Sequence, residues 1–223
     1  MTMIQRLYFI FVFWLTTVPL FAQTAGDSIP TERRFPLRSF IVPATLVGGG
    51  AAWLGHPTRE PFNHTGTVSS ADEYLRFGPY GLRVALQLAG VKPAVNLGDE
   101  IAVTVLSNVV MGGVTEGLKR TIHSTRPDGS DRRSFPSGHA AVAFTGAELL
   151  HQAYKHKSPW ISIAGYAMAS ATAVLRVANE QHHWADVLAG AGIGIASVKV
   201  TYAVYPVIKR KLLGHRRQSK NQL

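Results

Sequence analysis

Residues 185–208 read ADVLAGAGIGIASVKVTYAVYPVI, a mostly apolar stretch of helical length that is rich in glycine and alanine. Such small residues are typical of membrane helices that pack closely, because they let two backbones approach each other. The glycine run from Gly190 to Gly194 is not a dinucleotide-binding fingerprint, since its spacing differs and no strand precedes it. The stretch therefore predicts a closely packed membrane helix.

Five further segments of helical character precede this stretch along the chain. They are residues 40–55, 74–91, 101–118, 140–154 and 160–178. The first is broken by proline and glycine and is short for a bilayer core of about 30 Å, so we expect it to tilt or re-enter. The 223-residue chain therefore predicts an all-α integral membrane bundle of about six helices.

The two ends of the chain have compositions of their own. Residues 1–22 place one arginine before an apolar run that ends at Ala22, which is the layout of a signal peptide. An uncleaved first membrane helix is the alternative. We expect residues 23–38 to form an exposed lead-in, residues 39–208 the helical domain and residues 209–223 a basic cytoplasmic tail.

Composition excludes several classes of function. The chain has no cysteine, so disulfides, thiolate catalysis and zinc–cysteine sites are absent. A formal net charge of +10 suits an anionic membrane surface, a phosphorylated substrate or nucleic acid. Nucleic-acid binding is disfavoured, because no motif for it is present and the aromatic residues fall inside apolar runs.

Three polar interruptions lie between the last four predicted helices. They are Lys119 to Pro127 (KRTIHSTRP), Phe135 to His139 (FPSGH) and Arg176 to Asp186 (RVANEQHHWAD). Each lies at the end of a helix. Antiparallel folding of the helices therefore brings all three to one side of the bundle.

The first feature of these interruptions is a set of groups that suit an anion. Lys119, Arg126 and Arg176 are fixed cations, and the arginine fork matches phosphate oxygens. Ser137 and Gly138 open a helix, whose first N–H groups bind anions, and glycine allows close approach to the backbone.

The second feature is a pair of histidines. His139 lies in the first turn of its helix, and His182 and Asp186 are four residues apart, so that on a helix their side chains meet. A carboxylate behind an imidazole fixes its tautomer and supports positive charge on the ring. Together with the anion site, this is what phosphoryl transfer through a phosphohistidine requires. No aspartate cluster for a pair of metal ions is evident, so a metal-free mechanism is the simpler interpretation.

The full pattern is Lys119-x6-Arg126-Pro127, Pro136-Ser137-Gly138-His139 and Arg176-x5-His182-x3-Asp186. It resembles the three-part signature of the type 2 phosphatidic acid phosphatase superfamily in order and spacing. The motifs span about 70 residues, and the helical context runs from about residue 74 to 208. One departure is Leu175, where the family usually has serine, so one hydrogen bond to phosphate is missing or comes from elsewhere.

The resemblance implies a six-helix bundle that needs no metal or other cofactor. It implies that His182 is the nucleophile, that Asp186 orients it, and that His139 protonates the leaving alkoxide and then helps to activate water. The residues that it implies for binding the phosphoryl oxygens are Lys119, Arg126, Ser137, Gly138 and Arg176.

Four nearby charged or titratable residues have two interpretations each. His183 adjoins His182, but only His182 has the family's spacing to Arg176, so we expect a structural or lid-facing role for His183. Glu148 is either a functional group at membrane depth or a partner in an ion pair inside the bundle. Arg132 and Arg133 either contact an anionic headgroup, which we favour slightly, or are only solvated.

The basic residues also predict an orientation. Lysines within 155–157 and the basic C-terminus favour the cytoplasm, which puts residues 119–139 and 179–184 on the periplasmic side. With a cleaved signal peptide, either 40–55 or 74–91 then does not cross the membrane.

These observations predict a lipid phosphatase of the bacterial inner membrane with a periplasm-facing site. The signal peptide and short bundle resemble envelope phosphatases that act on lipid A in Gram-negative bacteria. Undecaprenyl pyrophosphate and phosphatidylglycerophosphate are the alternative substrates. A secreted, soluble acid phosphatase is compatible with the modest mean hydropathy of +0.08, and a catalytically inactive binding protein is a further alternative. The sequence does not indicate the oligomeric state.

Overall fold

The computed structural model of the protein describes residues 36–55 and 69–220, with side chains described as far as Lys211. Over these ranges the chain is helical and contains no strand, which confirms the all-α prediction. The signal peptide expected over residues 1–22 lies outside the described residues.

Seven helices follow one another within the described ranges. They are α1 (Ile41–Trp53), which follows a 3-10 turn (Leu37–Phe40), α2 (Asp72–Leu75), α3 (Gly78–Leu88), α4 (Leu97–Thr121), α5 (Gly138–Tyr154), α6 (Pro159–Ala178) and α7 (Trp184–Lys220). Six of them correspond to the predicted segments. The four-residue helix α2 is separate from α3, and the segment 74–91 did not distinguish the two.

The helix ends differ from the predicted ones where the terminal turns are polar. Helix α4 begins at Leu97 because the Asn96 side chain caps it, accepting a hydrogen bond from the Asp99 N–H at 2.9 Å. Helix α7 continues past residue 208 to Lys220. Lys209 donates to both carboxylate oxygens of Asp99, at 2.6 and 2.8 Å, which ties this extension to the start of α4.

Helices α5 and α7 lie in backbone contact along the middle of the bundle. A Cβ atom added to Gly190 would lie 2.4 Å from the Ser137 carbonyl oxygen, and one added to Gly194 would lie 2.5 Å from the Ala141 carbonyl oxygen. Gly192 faces the other way, where an added Cβ would lie 2.6 Å from the Pro43 carbonyl oxygen of α1. The glycines of α7 therefore allow two neighbouring helices to approach it.

The directions of the last four helices place the three polar interruptions together. The Ser137 N–H donates to the Asp186 carbonyl at 2.9 Å, so α5 and α7 begin side by side. Because α4 and α6 run in the opposite direction, they end where α5 and α7 begin. One end of the bundle, which we call the site end, thus holds all three motifs.

Glu148 of α5 pairs inside the bundle. Its carboxylate contacts the Lys199 ammonium of α7 at 3.0 Å and accepts hydrogen bonds from Gln152, at 2.6 Å, and from the Tyr166 hydroxyl of α6. Glu148 is buried, so this charge is compensated where water does not reach it. The ion-pair interpretation of this residue is therefore the one that the structure supports.

Three of the described helices are long and apolar enough to cross a membrane: Leu97–Thr121, Pro159–Ala178 and Trp184–Lys211. Large apolar side chains lie exposed on them, such as Val109 at 65% and Ile163 at 53%. Helices α1 and α3 have 13 and 11 residues, too few for a perpendicular crossing. Helix α5 has 17 residues, two more than the predicted segment 140–154, and is mostly buried.

Replacement of Gly194 by alanine should destabilise the bundle, because the new methyl group meets a carbonyl oxygen of α5. We expect a loss of about 1–3 kcal/mol, as for other overpacked cores, seen as a lower apparent Tm in detergent. The matched control is Gly112→Ala in α4, where an added Cβ meets nothing within 4 Å. That variant should be neutral or slightly stabilised, and an equal loss in both variants would contradict the packing argument.

Candidate active site

His182 and Asp186 form a buried pair at the start of α7. His182 lies in the loop before the helix and Asp186 in its first turn, and the distance from Nδ1 to Oδ2 is 3.5 Å. The contact was predicted for two helical residues, and it forms although His182 precedes the helix. Burial, together with the charges of Arg176 and Arg126, lowers the pKa of His182 to about 3 although Asp186 raises it. The ring is therefore neutral near pH 7 and keeps a lone pair for attack.

Ser134 completes this pair and was missed by the sequence analysis. Its hydroxyl donates to Asp186 Oδ2 at 2.5 Å and lies 3.4 Å from His182 Nδ1. The same carboxylate oxygen accepts the His183 N–H at 2.8 Å. Three contacts thus fix Asp186 Oδ2. The only sequence signal for Ser134 was its position directly before the second motif.

The N-terminus of α5 is capped by Ser137 and has open space beside Gly138. The Ser137 hydroxyl accepts the Ala140 N–H at 3.4 Å, and Ser137 is fully buried. Its observed contacts are those of a helix cap and a tie to α7, whereas the resemblance implied a phosphate contact. A Cβ atom added to Gly138 meets nothing within 4 Å, so the helix N-terminus is accessible to a ligand at this residue.

The three predicted cations lie at the same end and are held by neighbouring groups. Arg126 donates to Asp131 at 2.9 Å and to the Gln181 carbonyl at 3.1 Å. Lys119 donates to the Arg133 carbonyl at 2.6 Å. The Arg176 guanidinium is buried, and its Nε has no hydrogen-bond partner among the described residues. A buried donor of this kind is expected to meet an acceptor supplied by a ligand.

Helix α2 forms a fourth part of the site that the motifs do not include. Asp72 accepts a hydrogen bond from Arg176 Nη1 at 2.8 Å and one from the Asn179 amide at 3.2 Å, and it is buried. Asn179 also holds the backbone of Ser69, donating to its carbonyl at 2.7 Å. These contacts dock α2 onto the end of α6.

His139 lies between Glu73 of α2 and Arg76, the residue directly after α2. Its Nε2 atom is 2.6 Å from Arg76 Nη1 and 3.1 Å from Glu73 Oε1. Glu73 also contacts Arg76 at 3.3 Å and Arg176 at 3.6 Å. The hydrogen bond from His139 and the positive charges of His139, Arg76 and Arg176 lower the pKa of Glu73 to about 2. Its carboxylate is therefore ionised.

Asp72, Glu73 and His139 place three ligand-type atoms within 4.8 Å of one another. Both carboxylates contact arginine, Asp72 through Arg176 and Glu73 through Arg76. Their negative charge is therefore already balanced. We interpret the cluster as part of the charge network of the site and not as a metal centre.

The eight predicted site residues thus come together at the site end. A neutral histidine with a carboxylate behind it faces a surrounding of fixed cations and a helix N-terminus. Such an arrangement stabilises the growing negative charge of a phosphoryl group that is attacked by the ring nitrogen. Sequence motifs did not reveal Ser134 and Asn179, nor the charged residues Asp72 and Glu73 of α2 and Arg76 directly after it.

Comparison with known proteins agrees with this geometry. Residues 118–210 match the model of the PAP2 superfamily, the family of type 2 phosphatidic acid phosphatases. The matched part of the chain carries all three motifs. Helix α2 lies before the matched residues.

Two individual proteins are similar to this chain. A lipid A 1-phosphatase of Porphyromonas gingivalis is 41% identical over 110 residues, which are 49% of this chain and 25% of that protein. The chain therefore matches about a quarter of the length of this curated relative. The crystal structure of Aquifex aeolicus LpxE is similar with a TM-score of 0.48 and 18% identity, over 78% of this chain and 98% of that one.

Replacement of Asp72 by asparagine should destabilise the protein, because it removes the anion that faces the buried Arg176 guanidinium. We expect a loss of about 3 kcal/mol, the lower limit for a broken buried pair, because Glu73 at 3.6 Å still faces Arg176. The measurement is the apparent Tm in detergent.

The control for this variant is Glu116→Gln, which removes an exposed carboxylate paired with Arg120 at 2.9 Å and with Arg133 at 2.6 Å. Exposed pairs contribute about 0–1 kcal/mol, so Tm should change little. If the two variants lost the same stability, the docking of α2 through Asp72 would be wrong.

Proposed function

We propose that this protein is a metal-independent phosphatase of membrane lipids that forms a covalent phosphohistidine on His182. The observation that carries the proposal is the buried, neutral His182 ring with Asp186 3.5 Å behind it, at the end of the bundle that also holds Lys119, Arg126 and Arg176. The match of residues 118–210 to the PAP2 superfamily model supports it.

The first step transfers the phosphoryl group to the enzyme. The contact of Nδ1 with Asp186 favours the tautomer with a proton on Nδ1, which leaves the lone pair on Nε2 of His182. This nitrogen attacks phosphorus, the bond from phosphorus to the lipid oxygen breaks, and its electron pair goes to that oxygen. His139 gives the oxygen a proton, and the positive charge that forms on His182 is stabilised by Asp186.

The second step releases inorganic phosphate. His139, now neutral, takes a proton from water, and the water oxygen attacks phosphorus while the bond from phosphorus to His182 breaks. The cations remain in place through both steps. The partnerless Nε of Arg176 is the donor best prepared to bind a phosphoryl oxygen, since it needs no other contact to break first.

The surface of the bundle supports a membrane lipid as the substrate over a soluble phosphate ester. Exposed apolar residues such as Val109 and Ile163 lie on helices long enough to span a bilayer. This disfavours the secreted, soluble acid phosphatase. The contact of His182 with Asp186 disfavours an inactive binding protein, because both side chains are present and buried in the arrangement that the histidine mechanism requires.

We propose lipid A as the lipid. The name of the Porphyromonas gingivalis relative, lipid A 1-phosphatase, supports this choice. The loop of residues 126–133 supports it too, because Arg132 is exposed and Arg133 is partly exposed beside the site, where they suit a large anionic headgroup. Undecaprenyl pyrophosphate and phosphatidylglycerophosphate remain the alternatives that the experiment separates.

We also propose that the site faces the periplasm. The opposite end of the bundle holds the turn between α5 and α6, with Lys155 and Lys157, and the basic part of α7 that begins at Lys209. Basic segments next to membrane helices favour the cytoplasm. This supports a site end on the other side of the membrane, in the periplasm.

The phosphatase proposal predicts phosphate release by detergent-purified protein from at least one lipid of a panel. The panel is lipid A, undecaprenyl pyrophosphate, phosphatidylglycerophosphate and phosphatidate, with EDTA present. We expect lipid A to be fastest. His182→Ala should lose at least about 10³-fold in kcat, since it removes the nucleophile.

The neighbouring histidine provides the comparison for this variant. His183→Gln should retain most activity, because the backbone N–H that binds Asp186 remains and the exposed side-chain contact is with the loop carbonyl of Thr125 at 3.3 Å. Equal release by wild type and His182→Ala would exclude the histidine mechanism. Loss of all release in EDTA would exclude metal independence.

The orientation predicts which engineered thiols are accessible, and the natural chain has no cysteine to interfere. Ser130→Cys, in the exposed loop at the site end, should react with a membrane-impermeant maleimide in cells whose outer membrane is permeable. Lys157→Cys, exposed at the opposite end, should react only after the inner membrane is broken. The reverse pattern would place the site in the cytoplasm.

A further inference from the structure

The leaving-group side of the site contains a contact that the three motifs do not explain. Glu73 Oε1 lies 3.1 Å from His139 Nε2, although the two residues are 66 positions apart. Glu73 belongs to α2, which lies before the segment that matches the PAP2 superfamily. His139 therefore has a carboxylate partner, as His182 has Asp186.

The contacts of His139 with Arg76 and Glu73 require different forms of the ring. Arg76 can only donate a hydrogen bond, so its contact with Nε2 at 2.6 Å needs a lone pair on that nitrogen. Glu73 as a carboxylate can only accept, so its contact needs a proton on Nε2. One nitrogen cannot satisfy both at once. Both the imidazolium and the neutral tautomer with a proton on Nε2 satisfy Glu73, and its negative charge favours the imidazolium of the two. Arg76 favours the neutral tautomer that has a lone pair on Nε2.

The charges around His139 decide how much Glu73 matters. The charged groups that face the ring are Glu73 of α2, Arg76 directly after α2, and Arg176 of α6. Burial lowers the pKa of His139 to about 4, the hydrogen bond to Glu73 raises it, and both guanidinium groups oppose a proton on the ring. Asp72, the other acid of α2, is engaged by Arg176 at 2.8 Å. Glu73 is therefore the one described anion in direct contact with His139.

We propose that Glu73 is the positioning residue of His139: its carboxylate orients the ring and stabilises the imidazolium that protonates the leaving lipid oxygen. The inference rests on the proposed function and deepens it, since it assigns the group that prepares the acid. Arg76 lies 3.3 Å from Glu73. It donates a hydrogen bond to Nε2 when the ring is neutral and Nε2 carries a lone pair.

The test compares two leaving groups on wild type, Glu73→Gln and Glu73→Asp. A lipid alkoxide is strongly basic and needs a proton as it leaves, whereas nitrophenolate is weakly basic and does not. Glu73→Gln should lower kcat/KM for phosphatidate on the order of 10²-fold, the lower end of a general-acid contribution. For p-nitrophenyl phosphate, kcat/KM should fall less than about threefold, because its leaving group gains little from a general acid.

The variant Glu73→Asp keeps the charge but withdraws it from Nε2. We expect the same selectivity with a smaller loss, and this variant decides the question if Glu73→Gln does not fold. The control on the same helix is Tyr74→Phe, whose side chain is 79% exposed and which should behave as wild type. The apparent Tm of each variant reports folding.

The pH profile gives a second readout that a purely structural role would not change. The carboxylate favours the protonated ring, so its removal lowers the pH at which His139 loses its proton. The alkaline limb of kcat/KM for phosphatidate should therefore move to lower pH, by about one unit, in Glu73→Gln.

Two outcomes would overturn the inference. An equal loss of kcat/KM for both substrates would mean that Glu73 only supports the fold, and a lower KM without a loss of kcat would mean that it merely occupies the phosphate position. Failure of the proposed function is a separate result, because wild type would then release no phosphate at all. In that case, ¹⁵N-histidine NMR, with His139→Gln to assign the signal, still tests whether Glu73→Gln makes the ring lose its proton at lower pH.

Discussion

The structure depends on the close contact between the first turns of α5 and α7. The Ser137 N–H donates to the Asp186 carbonyl at 2.9 Å, and Gly190 leaves no room for a side chain between the helices. This contact joins the motif that carries His139 to the motif that carries Asp186. Any wider spacing would separate the two histidines from a common substrate, since the position of each is set by its own helix terminus.

The electrostatic organisation of the site follows from that contact. Each histidine has one carboxylate partner, and the two partners have opposite tasks in the proposed mechanism. Asp186 supports a ring that starts neutral and becomes positive, whereas Glu73 supports a ring that starts positive and becomes neutral. The cations around both rings lower the pKa of each imidazole and so favour its neutral form. The neutral form suits the nucleophile His182, whereas the acid His139 needs the negative charge of Glu73 to hold its proton. The same fixed positive charge is what a phosphoryl group needs as it is transferred.

The sequence predicts the parts of the fold and site that depend on local patterns. The helical segments follow from apolar runs, and the pair of His182 and Asp186 follows from their spacing. The start of α4 also had a local signal, Asn96 followed by Asp99, which a search for hydropathy alone overlooks because both residues are polar. Ser137 has contacts that the motif did not predict, namely those of a helix cap and an interhelical tie, and its phosphate contact stays a prediction. The contact of Asp72 with Arg176 had no local signal, because 104 positions separate the two residues.

The buried pair of Glu148 and Lys199 has a consequence for how the chain enters the membrane. Its two charges lie on helices that are separated along the chain by all of α6. An isolated charge at bilayer depth costs several kcal/mol, so neither helix reaches its final depth cheaply while the other is still in the ribosome or the translocation channel. We therefore expect the last three helices to enter the lipid as one cooperative unit, so that the site end assembles only after nearly the whole polypeptide has been synthesised.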